Sequence, residues 1–374
     1  MSALRILSAL VLSALLLSAL ASSGCLEGLP WLGSPVVYPR IVPTDGGTMP
    51  VPPVYAFPFQ DRTVVVDVSP EAGVYAGAKA SDKSARIYDH SIPDEEWRAG
   101  IYRALISDPG QDGFFSALLA EFHREREANR MDPDEYAELL AVFVQSIPYE
   151  TQDEASPRFP VETFVDGIGD CDDKSLLLAA LLSREGYRTA LLYFEPERHM
   201  AVGIGCPGTG YMGSGYAYIE TTNVTLVGNH PRELAGGTTL SSAPLVISIG
   251  EGTLGYRRCS ETAEIGTAID GMGRELATLG DEIRDRERTL EEKRDLLDNE
   301  KASMDLLRSR GDLAGYNMRV AAYNARVEEY NQMRSGLLLL VERYNRIAGA
   351  HNHLVSHQYD RKGLYASLSA SQAP

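Results

Sequence analysis

Three residues in the middle of the chain are of the types that form a thiol active site: Cys171, His199 and Glu220. A thiolate is a strong nucleophile, and an imidazole can take the proton of the thiol. A carboxylate can then hold the imidazole in the required orientation. These roles predict that Cys171 is the nucleophile, His199 its base and Glu220 the orienting acid.

The sequence around Cys171 predicts that the nucleophile lies in the first turn of a buried helix. The segment 167–170 contains two glycines and an aspartate, and the apolar run 176–182 follows. Gly186 is expected to end the helix in the left-handed conformation. Unpaired N–H groups and the positive end of the helix dipole stabilise an anion at such a position. We therefore expect a lowered pKa for the Cys171 thiol.

His199 and Glu220 are predicted to lie on neighbouring strands. Alternating and β-branched residues indicate strands over 188–194, 199–204 and 216–222, with a glycine-rich connection before the last. Adjacent antiparallel strands can place two side chains on the same face within hydrogen-bond distance. If the helix that begins at Cys171 packs on this sheet, the imidazole reaches the thiol.

The residues around these three positions resemble the transglutaminase-like superfamily over roughly residues 135–235. The resemblance rests on four motifs in the family's order: Ile147-Pro148-Tyr149, Gly169-Asp170-Cys171-Asp172-Asp173-Lys174, Arg198-His199-Met200 and Tyr218-Ile219-Glu220-Thr221-Thr222. It implies an α+β fold with a papain-like core, in which a helix packs on an antiparallel sheet. It also implies a Cys-His-Asp triad, with Glu220 standing where the family usually has Asp.

The chemistry that the resemblance implies is acyl transfer. Cys171 would attack a carbonyl, His199 would protonate the leaving amine, and water or another amine would resolve the thioester. The backbone N–H of Cys171 is an expected oxyanion donor, with Gln145 or Tyr149 as side-chain candidates. A cysteine peptidase or amidase acting on proteins or peptides, without a cofactor, is the leading expectation. The alternatives are a protein-crosslinking transglutaminase and a non-catalytic surface scaffold.

The N-terminus predicts export from the cytoplasm. Residues 1–24 contain one early Arg, an apolar run and then small residues, which is the order of a signal peptide. Cys25 follows in a context that resembles a lipoprotein processing box, so lipidation of Cys25 would anchor the chain to the membrane. An uncleaved signal anchor and plain secretion are the alternatives. Residues 25–60 are rich in Pro and Gly and predict a tether.

Charge and cysteine spacing limit the partners. The net charge of −17 argues against a nucleic-acid partner, because phosphate binding needs clustered Lys and Arg. The four cysteines form no CxxC pair, which argues against a structural zinc site. Outside the cytoplasm Cys206 and Cys259 could form a disulfide, or they could remain separate thiols.

The C-terminal part predicts long helices. Residues 61–258 are assigned to the transglutaminase-like domain, 259–350 to coiled-coil helices and 351–374 to a polar tail. Tyr-Asn recurs at 316, 323, 330 and 344, a seven-residue period typical of a coiled-coil seam. A break at Gly311-Asp312 favours an antiparallel hairpin, with a continuous oligomerising helix as the alternative. Either arrangement offers a surface for a partner.

Overall fold

The computed structural model describes residues 36–46, 48–89, 91–151, 156–231, 234 and 237–372. The chain divides into two compact units, Met1–Arg257 and Arg258–Pro374. The predicted signal peptide, Cys25 and residues 25–35 of the predicted tether lie outside the described residues. Among the helices within the described ranges, none is long and apolar enough to cross a membrane.

The first unit contains both strands and helices, with a run of helices between its fourth and fifth strands. Its strands are β1 (Val36–Val37), β2 (Tyr55–Phe59), β3 (Arg62–Val66), β4 (Arg86–Ile87), β5 (Thr189–Phe194), β6 (His199–Gly205), β7 (Tyr216–Ile219) and β8 (Leu245–Ile249). Its helices are α1 (Ala72–Ala80), α2 (Asp94–Ser107), α3 (Asp112–Asn129), α4 (Pro133–Ser146), α5 (Pro160–Asp166) and α6 (Cys171–Arg184). The named strands pair antiparallel in three sheets, so the α+β class expected from the sequence is confirmed.

The largest sheet has the strand order β7-β6-β5-β8. Phe194 pairs with His199, so β5 and β6 form a hairpin whose return strand begins at His199. On the other side of β6, Gly203 pairs with Tyr218. This register brings the beginning of β6 beside the end of β7, where Glu220 follows.

Helix α6 packs against the sheet and carries the centre of the core. All seven residues of its apolar run are fully buried: Leu176, Leu177, Leu178, Ala179, Ala180, Leu181 and Leu182. Burying one leucine side chain contributes about 2 kcal/mol, so this run fixes the helix firmly on the sheet. Gly186 adopts the left-handed conformation with φ +81°, as the sequence predicted.

Residues 36–60 are part of the first unit, which corrects the predicted tether over this range. Val36 and Ile41 are buried, and the Ile41 N–H donates to Asp108 Oδ2 at 2.8 Å. In β2, alternate residues from Tyr55 to Phe59 are buried. The prolines suggested a loose arm, but burial of apolar residues at both ends of this range fixes the ends on the first unit, while Val51 between them is exposed.

The second unit contains an antiparallel helical hairpin. Its helices are α7 (Cys259–Ser309), α8 (Leu313–Ser356) and α9 (Arg361–Gln372). Salt bridges join α7 to α8 in reverse order along the chain: Glu275 with Arg343, Lys293 with Glu329 and Glu300 with Arg326. The reversal occurs at Gly311, whose φ is +81°. The hairpin interpretation is confirmed, and the continuous helix is wrong.

The predicted polar tail, residues 351–374, is helical over its described part. Helix α8 extends to Ser356, and α9 follows with Leu364 and Leu368 buried. These two leucines are four residues apart and lie on one face of α9. Arg361 of α9 also pairs with Glu261 of α7. The prediction of a tail is therefore wrong. A small number of apolar residues is enough to dock a helix when their spacing places them on one face.

Candidate active site

Cys171 is the first residue of α6, as the sequence predicted. Asp170 caps the helix, and its Oδ1 accepts from the N–H groups of Asp172 and Asp173, both at 3.1 Å. Gly169 precedes the cap, and a Cβ atom there would lie 2.9 Å from Asp173 Cβ. The glycine therefore allows the turn to approach the helix closely enough to fix Cys171 in place.

The Cys171 thiol lies between α6 and β6. Its Sγ lies 3.5 Å from Asp172 Oδ1, to which the S–H donates, and it accepts from the backbone N–H of Met200. Burial raises the pKa of the Cys171 thiol, and the negative charge of Asp172 raises it further. The lowered pKa expected from the helix start is therefore wrong. Burial and a neighbouring carboxylate outweigh the helix dipole.

His199 is buried at the start of β6, with 5% of its surface exposed. Its ring packs against Phe194, with 6.0 Å between the ring centroids. His199 Nε2 lies 2.9 Å from the hydroxyl oxygen of Tyr218. The Tyr218 O–H donates to Glu220, so its oxygen is left to accept from Nε2–H. This assignment leaves Nδ1 of His199 as a proton acceptor.

Glu220 follows β7 directly and is 3% exposed. Its Oε2 accepts from the Tyr218 hydroxyl at 2.8 Å and lies 3.6 Å from His199 Nε2. Its Oε1 accepts from the N–H groups of Thr221 and Thr222, both at 2.9 Å. Burial alone would raise the pKa of Glu220, but the nearby His199 and the hydrogen bonds from Thr222 and Tyr218 lower it to about 2.

Tyr218 connects the predicted base to the predicted acid, and the sequence interpretation did not assign it a role. The distance of 3.6 Å between Nε2 and Oε2 is too long for a direct hydrogen bond. The Tyr218 hydroxyl fills this gap with one bond to each side. The sequence did contain a signal for this role. Residues 218 and 220 are two positions apart, and this spacing places side chains on one face of a strand.

Gln145 positions the loop that carries Glu220. Its Nε2 donates to the backbone oxygens of Glu220 at 2.8 Å and Thr225 at 3.0 Å, and its Oε1 accepts from the Thr225 N–H at 3.3 Å. Both amide hydrogens are therefore used, so the oxyanion role suggested for Gln145 is withdrawn. Tyr149, the other suggestion, is 39% exposed and forms a bridge with Gly169.

Lys174 is a buried cation that the sequence interpretation also left without a role. Its Nζ donates to the backbone oxygens of Gln145 at 3.2 Å and Ile147 at 2.5 Å, where α4 ends. Burial lowers the pKa of Lys174 to about 8, while the negative charge of Glu220 acts in the opposite direction. The lysine thus ties α6 to the end of α4 and adds positive charge near Glu220.

Helix α6 and the strands are joined beside the thiol. Ser175 Oγ lies 3.2 Å from Met200 O and 3.2 Å from Thr221 Oγ1. No hydrogen bond joins Cys171 Sγ to the His199 ring in the described part of the chain, because the S–H donates to Asp172. The structure thus brings His199, Tyr218 and Glu220 into one network, with Cys171 on the adjoining helix.

Two further cysteines, Cys206 and Cys259, lie within the described residues. Cys206 follows β6 and its N–H donates to Gly215 O, whereas Cys259 begins α7 in the second unit. The structure contains no disulfide among Cys171, Cys206 and Cys259, so the pairing of Cys206 with Cys259 is not formed. Cys206 belongs to the first compact unit and Cys259 to the second.

Comparison of the chain with protein-family models, curated proteins and solved structures finds no match.

Proposed function

We propose that this protein is a thiol-dependent acyl-transfer enzyme with a transglutaminase-like, papain-like core. Cys171 is the nucleophile, His199 the base and Glu220 the orienting acid. The observation that supports this most strongly is the buried network of His199, Tyr218 and Glu220 beside the helix that begins at Cys171. Buried polar networks of this kind are costly unless fully hydrogen-bonded, and they concentrate at functional sites.

In the proposed reaction the thiol proton passes to His199 Nδ1 as the sulfur attacks the substrate. The sulfur forms a bond to the carbonyl carbon, and the amine leaves with the proton that His199 holds. The Cys171 N–H, which has no intrahelical partner at the first helical position, faces the developing oxyanion. Because the thiol pKa is raised, proton transfer accompanies the attack rather than preceding it. Water or an amine then attacks the thioester and releases the thiol.

Hydrolysis of proteins or peptides is the preferred outcome, which makes the protein a cysteine peptidase or amidase. Amines would compete with water for the same thioester, so crosslinking by transamidation is the second outcome. We further propose an extracytoplasmic location with anchoring through Cys25, on the basis of the N-terminal sequence. The substrate would then meet the enzyme outside the cytoplasmic membrane.

The test is product analysis with the full-length protein and its Cys171→Ala variant. Both are incubated with a peptide library, with and without an added primary amine, and products are identified by mass spectrometry. Products that require Cys171 support acyl transfer. Cleaved peptides indicate hydrolysis, whereas peptides that gain the amine with loss of ammonia indicate transamidation. Identical product profiles from both proteins would refute the proposed enzymatic activity.

A non-catalytic surface scaffold is the second candidate function, and the second unit is the observation that favours it. In α8, Leu338 and Leu339 are 55% and 67% exposed, and in α7 Leu296 is 68% exposed. Apolar side chains on a long two-helix hairpin are suited to packing against further helices. Peptide profiles that are the same for wild type and Cys171→Ala in the test above would favour the scaffold over the enzyme.

A further inference from the structure

Asp172 contacts the nucleophile and lacks a cationic partner in the described ranges. Its Oδ1 lies 3.5 Å from Cys171 Sγ. The two neighbouring carboxylates already have partners. Asp170 caps α6. Asp173 lies 3.5 Å from Arg158 Nε and accepts from the backbone N–H of Arg158 at 2.7 Å. Asp172 is thus the carboxylate of this turn that a substrate held by Cys171 can reach.

The position of Asp172 is unfavourable for a nucleophile acting alone. Burial and the charge of Asp170 raise the pKa of Asp172 to about 6, while the charge of His199 acts in the opposite direction. Ionised Asp172 in turn raises the pKa of the Cys171 thiol. Two anions this close destabilise each other, and a cation beside Asp172 removes that repulsion.

Two tyrosines on other elements lie within electrostatic range of the same carboxylate. Tyr102 of α2 and Tyr193 of β5 are half-buried, with ring centroids 6.4 Å apart; burial raises the pKa of both, and the charge of Asp172 adds to the rise. The guanidinium of Arg98 is nearby, but it is paired with Glu195 at 3.1 Å. A carboxylate with aromatic rings in its neighbourhood is the chemistry that binds alkylammonium and guanidinium groups.

We propose that Asp172 is a specificity-determining residue that binds a cationic group of the substrate. This group is an ammonium or guanidinium, and it lies next to the acyl carbon that Cys171 attacks. The inference rests on the proposed function, since it assigns the substrate class of the same site. Binding of the cation places the acyl group at the thiol and also favours ionisation of the thiol. Lysine- or arginine-containing peptides are therefore the expected substrates.

The direct test measures how reagent charge affects labelling of Cys171. Three methanethiosulfonates that transfer an aminoethylthio, a methylthio or a sulfonatoethylthio group each form a mixed disulfide and release methanesulfinate. Rates at Cys171 and Cys206 are measured in the same full-length protein by peptide mapping, and Cys206 serves as the internal reference for the charge of the whole chain. We expect Cys171 to favour the cationic over the anionic reagent about tenfold more than Cys206 does.

Variants assign this preference to Asp172. Asp172→Asn is expected to abolish the excess preference, Asp172→Glu to retain it, and Asp61→Asn, which removes an 89% exposed carboxylate of the same unit, to leave it unchanged. Equal preference in wild type and Asp172→Asn overturns the proposal. So does a Cys171 that none of the reagents reaches, since a substrate cation could not reach Asp172 either. Circular dichroism confirms that the variants are folded.

A peptide assay separates this inference from the proposed function. Peptides with lysine, norleucine or glutamate beside the scissile bond are given to wild type, Asp172→Asn and Cys171→Ala. If Cys171→Ala retains the products, acyl transfer at Cys171 fails, whatever the charge preference. If products require Cys171 but the lysine-to-norleucine rate ratio is the same in wild type and Asp172→Asn, only the role of Asp172 fails.

Discussion

The hydroxyl oxygen of Tyr218 lies 2.9 Å from His199 Nε2, and this contact is the only link between the imidazole and Glu220 that has hydrogen-bond length in the described structure. In the proposed mechanism it makes Tyr218 a positioning residue, since Tyr218 would act on the thiol through His199. It also favours the tautomer with Nε2–H, so that in the proposed mechanism Nδ1 receives the thiol proton.

Replacing Tyr218 with Phe should lower kcat about ten- to a hundredfold, with little change in KM, because the imidazole loses its orienting partner while substrate contacts remain. The assay is steady-state turnover of a peptide found in the library screen. Tyr211→Phe is the control, because the Tyr211 ring packs 5.3 Å from the Tyr218 ring outside the hydrogen-bonded path. A proportional rise in KM with unchanged kcat would contradict a positioning role.

The raised pKa of Cys171 predicts slow alkylation at neutral pH. A raised thiol pKa means less thiolate at a given pH, so the iodoacetamide rate should keep rising beyond about pH 8.5, where an ordinary thiol is half ionised. The measurement follows Cys171 by mass spectrometry from pH 6 upward, with a cysteine-containing peptide as reference. The prediction would be contradicted if the alkylation rate of Cys171 reached a plateau at a lower pH than the alkylation rate of the reference peptide.

The lowered pKa of Glu220 predicts a loss of stability in acid. Its pKa is about 2 in the folded protein, below the ordinary 4.5, so unfolding takes up a proton between these values. The stabilising contribution is complete above about pH 4.5 and is lost as the pH falls towards 2, with a total of about 3 kcal/mol.

Urea unfolding at several pH values tests this contribution. Glu220→Gln should show a smaller change in the free energy of unfolding between pH 5 and pH 3 than wild type. Glu251→Gln, which alters an exposed carboxylate of the same unit, should follow the wild-type curve. If wild type and Glu220→Gln have parallel curves, Glu220 is not stabilised as an anion.

Gly169→Ala should disturb the turn before the nucleophile. The new Cβ would lie 2.9 Å from Asp173 Cβ and 3.0 Å from Thr163 Cγ2, so we expect a loss of about 1–3 kcal/mol and slower labelling of Cys171. Gly113→Ala is the matched control, because its Cβ would meet nothing within 4 Å in the first turn of α3. The control should be neutral or slightly stabilising. Equal melting temperatures for both variants would contradict the close approach.

The elements that carry the site were predictable from local sequence. Asp170 before Cys171, an apolar run of good helix formers and Gly186 define α6 without reference to the rest of the chain. The strand that begins at His199 follows from the same kind of pattern. The hairpin turn at Gly311 was also predictable, because a helix break depends on the residues at that point.

The contacts that decide the chemistry were not predictable in this way. Gln145 and Glu220 are 75 positions apart, and only packing of α4 beside the β7 loop showed that the Gln145 amide supports the acid rather than an oxyanion. Likewise, the helix start predicted an easily ionised thiol, but burial against β6 and the proximity of Asp172 reversed the direction of the pKa shift.

The sequence by itself determined which residues could form the site and on which helix and strands they stand, because helix caps, apolar runs and turns are local properties. The tertiary structure alone decided that Tyr218 stands between His199 and Glu220 and that the Cys171 thiol is buried beside Asp172. Hydrogen-bond distances and burial depend on how segments far apart in the chain pack together, and no local pattern specifies that packing.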